Sequence, residues 1–360
     1  MSSEKPDLVV MIMAGGAGTR FWPLSTADKP KQFLRLFGDR SLLEQCYDRL
    51  AGFVPDHRIL VLTNKALVPL VRMQLPMLPA ENVIGEPLRR DTAAAVALAA
   101  ALCRRRYGNP VMIVLTADHL IKPADLFHRT LLSAAKGARE NNVLYTFGIR
   151  PAHPATCYGY LERGEKVGEE EGIGHYELVR FKEKPDAQTA AKYLESGRYF
   201  WNSGMFVWSV DTILSELEKQ LPDHLKLLAP AVEKEGTPGF KDALALAFEP
   251  LRATSIDFGV MEGAKRSRMV AAEYYWSDVG GWLALEEFLE KDEAGNTHRG
   301  KIESLAAGGN LVFCENESDT VALIGVDNLV VVRAGDKTLI VPRDRAEEIK
   351  KLVKRIEGKG

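Results

Sequence analysis

Val9-Val10-Met11-Ile12-Met13-Ala14-Gly15-Gly16-Ala17-Gly18-Thr19-Arg20-Phe21-Trp22-Pro23-Leu24-Ser25, with Lys29-Pro30-Lys31-Gln32 just behind it, is the stretch whose reading decides the fold. An apolar run that ends in a cluster of small residues reads as a buried strand feeding a glycine-rich loop, whose backbone N–H groups can face an anion with no side chain intervening. Neither common phosphate motif fits. No Lys-Ser/Thr follows the last glycine, as a Walker loop requires, and Phe21 occupies the third glycine position of the dinucleotide fingerprint, which argues against a dehydrogenase. Arg20, Lys29 and Lys31 place fixed positive charge beside the loop, which a triphosphate needs more than a dinucleotide does.

Outward from this stretch, apolar runs at Val9–Met13, Ile59–Thr63, Val111–Leu115 and Val143–Ile149 alternate with helical patterns at Leu42–Leu50, Thr92–Arg106 and Leu126–Glu140. That alternation predicts an α/β fold: a Rossmann-like, mostly parallel sheet with helices on both faces and ligands at the carboxyl ends of its strands. Before the alanine-rich helix stands Glu86-Pro87-Leu88-Arg89-Arg90-Asp91-Thr92-Ala93, which reads either as a base- or phosphate-facing helix start or as a well-capped helix with solvated charges. Asp118 follows a fully apolar strand and is placed to hold Mg²⁺, a hard cation that takes oxygen ligands. Asp278, in Ser277-Asp278-Val279-Gly280-Gly281, is a second such acid on a glycine-flanked turn.

Between these acids the pattern changes. Gly159, between Tyr158 and Tyr160, allows a close backbone approach or marks a bulge. In Phe181-Lys182-Glu183-Lys184-Pro185 an acid stands beside an ammonium; Glu183 can accept from ring hydroxyls while Lys184 neutralises a phosphate. Asn202 opens another buried strand and can both donate and accept. Asp257 and Glu262 are read as structural. Past about Leu289, short runs at Leu311–Cys314, Val321–Ile324, Leu329–Arg333 and Thr338–Val341 predict a small β-domain closed by a charged helix at Arg345–Ile356. The expected domains are therefore 1–288 and 289–360.

At 360 residues and 46% hydrophobic content the chain can bury a sizeable core, and a net charge of −2 argues against a polyanionic partner such as nucleic acid. Cys46, Cys103, Cys157 and Cys314 are scattered, with no Cys-x-x-Cys pair, so neither a zinc site nor a disulfide framework is indicated. Residues 1 to 7 are polar and the next apolar run is too short for a signal peptide or a membrane span; a cytoplasmic protein with no membrane partner is expected.

The string from Gly15 through Ser25, with Lys29-Pro30-Lys31-Gln32-Phe33-Leu34, resembles the sugar nucleotidyltransferases and looks most like the bacterial mannose-1-phosphate guanylyltransferases, or GDP-mannose pyrophosphorylases. Glu86-Pro87, Arg90-Asp91-Thr92-Ala93, Phe181-x-Glu183-Lys184-Pro185 and Asp278-Val279-Gly280 follow in the order of that family, so the resemblance runs from Met11 to Trp282. Ala94 departs from it, standing where the family usually has proline. The resemblance implies Mg²⁺-dependent transfer of GMP from GTP to α-D-mannose 1-phosphate, giving GDP-mannose and pyrophosphate. By residue, it implies Arg20, Lys31, Asp118 and Asp278 as catalytic, the two aspartates sharing the metal. Ala14, Gly15, Gly16, Gly18, Thr19, Lys29, Glu86, Arg90 and Thr92 would hold the nucleotide, and Gly159, Glu183, Lys184 and Asn202 the sugar phosphate. For the C-terminal domain it implies a short left-handed β-helix through which a homodimer would form, and the chain ends before the isomerase domain of bifunctional relatives would fit. The rivals are a nucleotidyltransferase for another base or hexose and a non-catalytic subunit that senses GDP-mannose; a sensor should have lost loop charges or an aspartate, and Arg20, Lys31, Asp118 and Asp278 are all kept.

Overall fold

The computed structural model describes residues 7–16, 18–356 and Gly358. Ala17 of the glycine loop and the polar residues 1–6 lie outside the described residues. The chain forms two compact units, one of Met1–Gly15, Tyr47–Ala117 and Ile121–Trp276, the other of Gly16–Cys46, Asp118–Leu120 and Ser277–Gly360. These units are not the sequential halves on either side of 288/289, because the segment after the glycine loop joins the C-terminal residues.

The first unit is built on one nine-stranded sheet. In chain order its strands are β1 (Leu8–Met13), β2 (Ile59–Asn64), β3 (Val83–Glu86), β4 (Val111–Thr116), β5 (Leu144–Ile149), β6 (Tyr160–Glu170), β7 (Ile173–Lys182), β8 (Tyr199–Ser209) and β9 (Ser267–Ala272). Their spatial order is β3-β2-β1-β4-β8-β5-β9-β7-β6. Pairing is parallel through β3, β2, β1 and β4 and again between β5 and β9, as the βα alternation requires. Antiparallel pairs enter with β6, β7 and β8: β6 and β7 form a hairpin, while the helix Ala187–Ser196 leads into β8. The expected α/β architecture with a parallel-rich sheet is the one found.

β1 reads as an unbroken apolar run because both its faces are covered. Val9 and Met11 pack with the helix Asp91–Tyr107, while Val10 and Ile12, pointing the other way, are equally buried. The helix is stopped by Gly108 at φ +77°, whose N–H bonds to the Arg104 carbonyl. Ala93 through Ala100 are all buried, so short side chains let the helix lie close against the sheet and its neighbours. At β4 the Ala117 N–H bonds to the Met13 carbonyl, which carries the chain toward Asp118.

In the second unit the strands Thr297–Arg299, Leu311–Cys314 and Leu329–Ala334 stack in parallel, Thr297 beside Leu311 and Leu311 beside Val330. Lys301–Leu305 pairs in parallel with Thr320–Ile324. Parallel neighbours that recur at each pass of the chain describe a coil of rungs. Inside it Asn296 and Asn310 are fully buried, and each satisfies backbone groups that the turns leave unpaired: Asn310 donates to the Asn296 side chain and the Val326 carbonyl and accepts from the Leu329 N–H. The charged C-terminal segment begins as a 3₁₀ helix, Arg343–Glu348, and becomes α-helical only at Ile349–Ile356.

Candidate active site

In the second unit, Gly18 takes φ +58° at the start of the 3₁₀ turn Thr19–Phe21, and a Cβ there would stand 2.4 Å from the Lys31 backbone nitrogen. Only glycine fits, for both reasons at once. The Gln32 side-chain amide donates to the Gly16 carbonyl at 3.2 Å, and the Thr19 carbonyl accepts from the Trp22 N–H, so the loop is tied from behind. Beneath it lies an aromatic core, with Phe21 edge-on to Trp282 at 5.1 Å and Trp282 against Phe313 at 5.0 Å.

This packing brings the expected charged residues to one cavity of about 200 Å³, lined by Gly18, Arg20, Lys31, Asp118, Asp278 and their neighbours. The Lys31 ammonium donates to Asp118 Oδ2 at 2.9 Å and to the Asp278 carbonyl. Burial would raise the Asp118 carboxyl, but the Lys31 ammonium, with His119 in support, holds it below the usual carboxylate range. Arg20 donates to the Gly280 carbonyl at 3.0 Å. Its Nε is buried without a hydrogen-bond partner, 3.5 Å from Glu347. Such an orphaned donor beside a glycine loop suits an anionic ligand. Lys29, half-exposed, pairs at 3.6 Å with Glu315. Two carboxylates and open phosphate oxygens are the donor set a hard divalent cation takes. Among the described residues no group of three or more His, Cys, Asp or Glu could hold a metal by itself.

The first unit carries the other expected residues. Ala14 is fixed by its N–H to the Leu62 carbonyl at 2.8 Å and by its carbonyl to the Thr63 hydroxyl at 2.9 Å. Glu86 ends β3 with Oε2 3.8 Å from where a Gly15 side chain would begin, and burial, reinforced by Asp91, pushes its carboxyl up to about 8. At neutral pH it therefore carries a proton and can donate as well as accept. Arg90 and Thr92, expected at the nucleotide, also make hydrogen bonds within the fold. Arg90 donates from Nε to the Phe248 carbonyl at 2.8 Å and from its terminal nitrogen to the Glu249 carbonyl, while the Thr92 hydroxyl accepts from the Ile256 N–H at 2.8 Å. They stitch the helix start to the segment 248–256.

Gly159, Glu183 and Asn202 come together as expected. The Asn202 N–H bonds to the Gly159 carbonyl at 2.8 Å, and a Cβ on Gly159 would lie 2.6 Å from Glu183 Oε2. Close approach, rather than a bulge alone, is thus what Gly159 provides. Lys184, exposed and at φ +42°, pairs with Glu183 at 2.5 Å. The Asn202 side chain differs from expectation. Its Oδ1 already accepts from the Thr146 hydroxyl at 3.0 Å and the Gly204 N–H at 3.2 Å, and its amide nitrogen donates to Asp257 Oδ1 at 2.9 Å. With the oxygen occupied, the remaining amide N–H leaves it a donor only. Asp257, read from the sequence as structural, is the acceptor that holds the Asn202 amide.

The nucleotidyl transferase family profile matches residues 9–295, and a MannoseP isomerase/GMP-like beta-helix domain profile matches residues 305–356. A mannose-1-phosphate guanylyltransferase of Klebsiella pneumoniae is 40% identical over 96% of this chain and 73% of its own length. One of Escherichia coli K12 is 38% identical over 98% of this chain and 74% of its own length. A crystal structure from Thermus thermophilus, described as a mannose-1-phosphate geranyltransferase, superimposes with a TM-score of 0.84 at 34% identity, covering 98% of this chain and 99% of that one.

Two outcomes follow from this geometry. Replacing Gly159 by alanine should displace Glu183 but not unfold the chain, because the clashing atom is the end of a flexible side chain; the melting temperature should stay nearly unchanged in thermal unfolding. For Glu86 the sign is that of a group whose folded pKa is raised: its favourable contribution is complete below the unfolded value and is lost as pH rises through about 8. Glu86→Gln should therefore melt higher than wild type at pH 8.5, with the difference vanishing near pH 4.5, as thermal unfolding at the two pH values will show.

Proposed function

The chain belongs to the mannose-1-phosphate guanylyltransferase family of nucleotidyltransferases, and from that premise we propose that it transfers GMP from GTP to α-D-mannose 1-phosphate, releasing pyrophosphate and forming GDP-mannose. The observation that carries this reading is the convergence of Lys31, Arg20, Asp118 and Asp278 on one cavity beside the glycine loop. A phosphate oxygen of the sugar phosphate, largely ionised at neutral pH, attacks the α-phosphorus of GTP, so no general base is required. Catalysis reduces to alignment and charge neutralisation.

The backbone of Gly15, Gly16 and Gly18, with Thr19 and Arg20, holds the departing β,γ-phosphates, and Ala14 fixes where the loop leaves β1. Lys31 serves the α-phosphate, with Lys29 in support, and Glu86 serves the base. Asp118 and Asp278 hold Mg²⁺, which supplies neutralising charge to the phosphates. Glu183, Asn202 and the backbone at Gly159 receive mannose, and Lys184 its phosphate. Arg90 and Thr92 support this surface through the contacts that hold the helix start in place.

Among the described residues no helix is long and apolar enough to cross a membrane. The cytoplasm, where the GTP donor is held, is the location that this reaction requires. A homodimer through the C-terminal coil is supported by Leu305 and Ile324, neighbours in register and 66% and 72% exposed. Sedimentation at micromolar concentration should give twice the 39.9 kDa chain mass, and a single-chain mass would refute the dimer.

The reaction is tested by pyrophosphate release across four nucleoside triphosphates and three hexose 1-phosphates. GTP with mannose 1-phosphate should be the best pair; another best pair would assign a different donor or acceptor, and no release with any pair would favour a sensor. Asp118→Asn and Asp278→Asn should each lower turnover at least ~10²-fold, as does loss of one electrostatic contact to a transition state. Full activity in both variants would reject the metal assignment.

A further inference from the structure

The polar groups around Asn202 form a closed arrangement. The Gly204 N–H donates to its oxygen, the Thr146 hydroxyl of β5 is shared between that oxygen at 3.0 Å and the Met205 carbonyl at 3.2 Å, and Asp257 accepts from its amide nitrogen at 2.9 Å. Amide orientation is otherwise a free choice between two nearly isosteric ends. Here the choice is made by a carboxylate outside the sheet, in the one-turn π-helix Asp257–Met261.

We infer that Asp257 is a positioning residue for hexose recognition: it locks the Asn202 amide so that a single N–H faces the sugar. The inference rests on the reading of Gly159, Glu183 and Asn202 as the hexose-binding group. Glu183, an acceptor, and Asn202, a donor, then offer complementary functions to neighbouring hydroxyls. Were Asn202 to turn over, its oxygen would face Asp257, acceptor against acceptor, and the sugar would lose its donor.

The charged groups that face Asp257 are Glu183 and Lys184. Burial, then the charge of Glu183, pushes the Asp257 carboxyl up to about 6. Protonation below that value weakens its hold on the amide and releases the lock. A free hexose 1-phosphate titrates in the same range and would obscure the effect, whereas GDP-mannose has no group that ionises between pH 5 and 8. Glu86, near 8, stays protonated below pH 7.

The test is the dissociation constant of GDP-mannose at pH 7.0 and 5.5, by calorimetry, for wild type, Asp257→Asn, Asp257→Ala, Asn202→Ala and the Asp257→Ala/Asn202→Ala double variant, each first shown to be folded by thermal unfolding. If only the ionised form is competent, wild-type binding should weaken about fourfold on going to pH 5.5. Asp257→Asn keeps an acceptor and cannot ionise, so it should bind without this pH limb, whereas Asp257→Ala should bind on the order of tenfold more weakly at both pH values. The double variant should be no weaker than Asn202→Ala, because the two residues act as one unit. An unchanged pH limb in Asp257→Asn, or wild-type affinity in a folded Asp257→Ala, would sink the inference and leave the proposed reaction standing. Wild type that fails to bind GDP-mannose at either pH would remove both.

Discussion

The contact on which the phosphate-handling unit depends is the Lys31 ammonium held between the Asp118 carboxylate and the Asp278 carbonyl. It joins three segments far apart in sequence, and it places a cation where negative charge converges. Lys31 is only 8% exposed, so this is not a surface ion pair worth a few tenths of a kcal/mol. Removing the lysine would leave a carboxylate unpaired, at a cost below the about 3–5 kcal/mol of a fully buried pair because the Asp118 side chain is a third exposed. A lysine so placed carries two demands. Without ligand it neutralises the Asp118 carboxylate while bonding the Asp278 backbone carbonyl, and were a cation to take over that carboxylate the ammonium would be free to turn to a phosphate oxygen. Lysine suits both, as a compact point charge on a flexible stem; the rigid fork of an arginine would not change partners as readily.

Around Asn202 the logic is one of orientation rather than charge. A flexible amide offers both a donor and an acceptor, so it discriminates poorly between hydroxyl arrangements until one end is committed. Three hydrogen bonds commit Asn202, and they come from a strand, a glycine turn and a one-turn π-helix. That π-helical turn widens the backbone by one residue where Asp257 must reach inward, a common use of the conformation at functional sites.

Much of this was legible in the sequence, and the boundary of legibility has physical causes. β1, the alanine-rich helix and the strand before Asp118 follow from periodicity and punctuation, which act locally. The residues that meet in the cavity were visible through chemistry that makes sense only together: glycines, cations and two acids. Arg90 and Thr92 have types that suit a nucleotide, but a sequence does not show that they also bond the Phe248 carbonyl and the Ile256 N–H. Asp257 was passed over because an isolated acid in an amphipathic region is usually structural, and nothing in its neighbours announces an asparagine more than fifty residues away. Ala94 did not disturb the helix start; it is fully buried in the first turn, where alanine is a good helix former.

The second unit draws on segments from both sides of the change in composition. The texture of the chain changes near Leu289, yet Phe21, Leu34, Trp282, Phe313, Val332 and Val353 share one hydrophobic core. The ion pairs that link the same segments, Arg20 with Glu347 and Lys29 with Glu315, are long and mostly exposed, worth about 0–1 kcal/mol each. Burial of one large apolar side chain contributes about 1.5–3 kcal/mol, and an aromatic pair such as Phe21 with Trp282 adds about 0.5–1.5 kcal/mol. Apolar packing therefore dominates the link between the phosphate loop and the C-terminal coil. A cut at 289 would expose the underside of Phe21 and Trp282, and with it the support of the loop that carries Arg20. The coil is then a structural support of the loop that carries Arg20, through a core shared with residues nearly three hundred positions downstream.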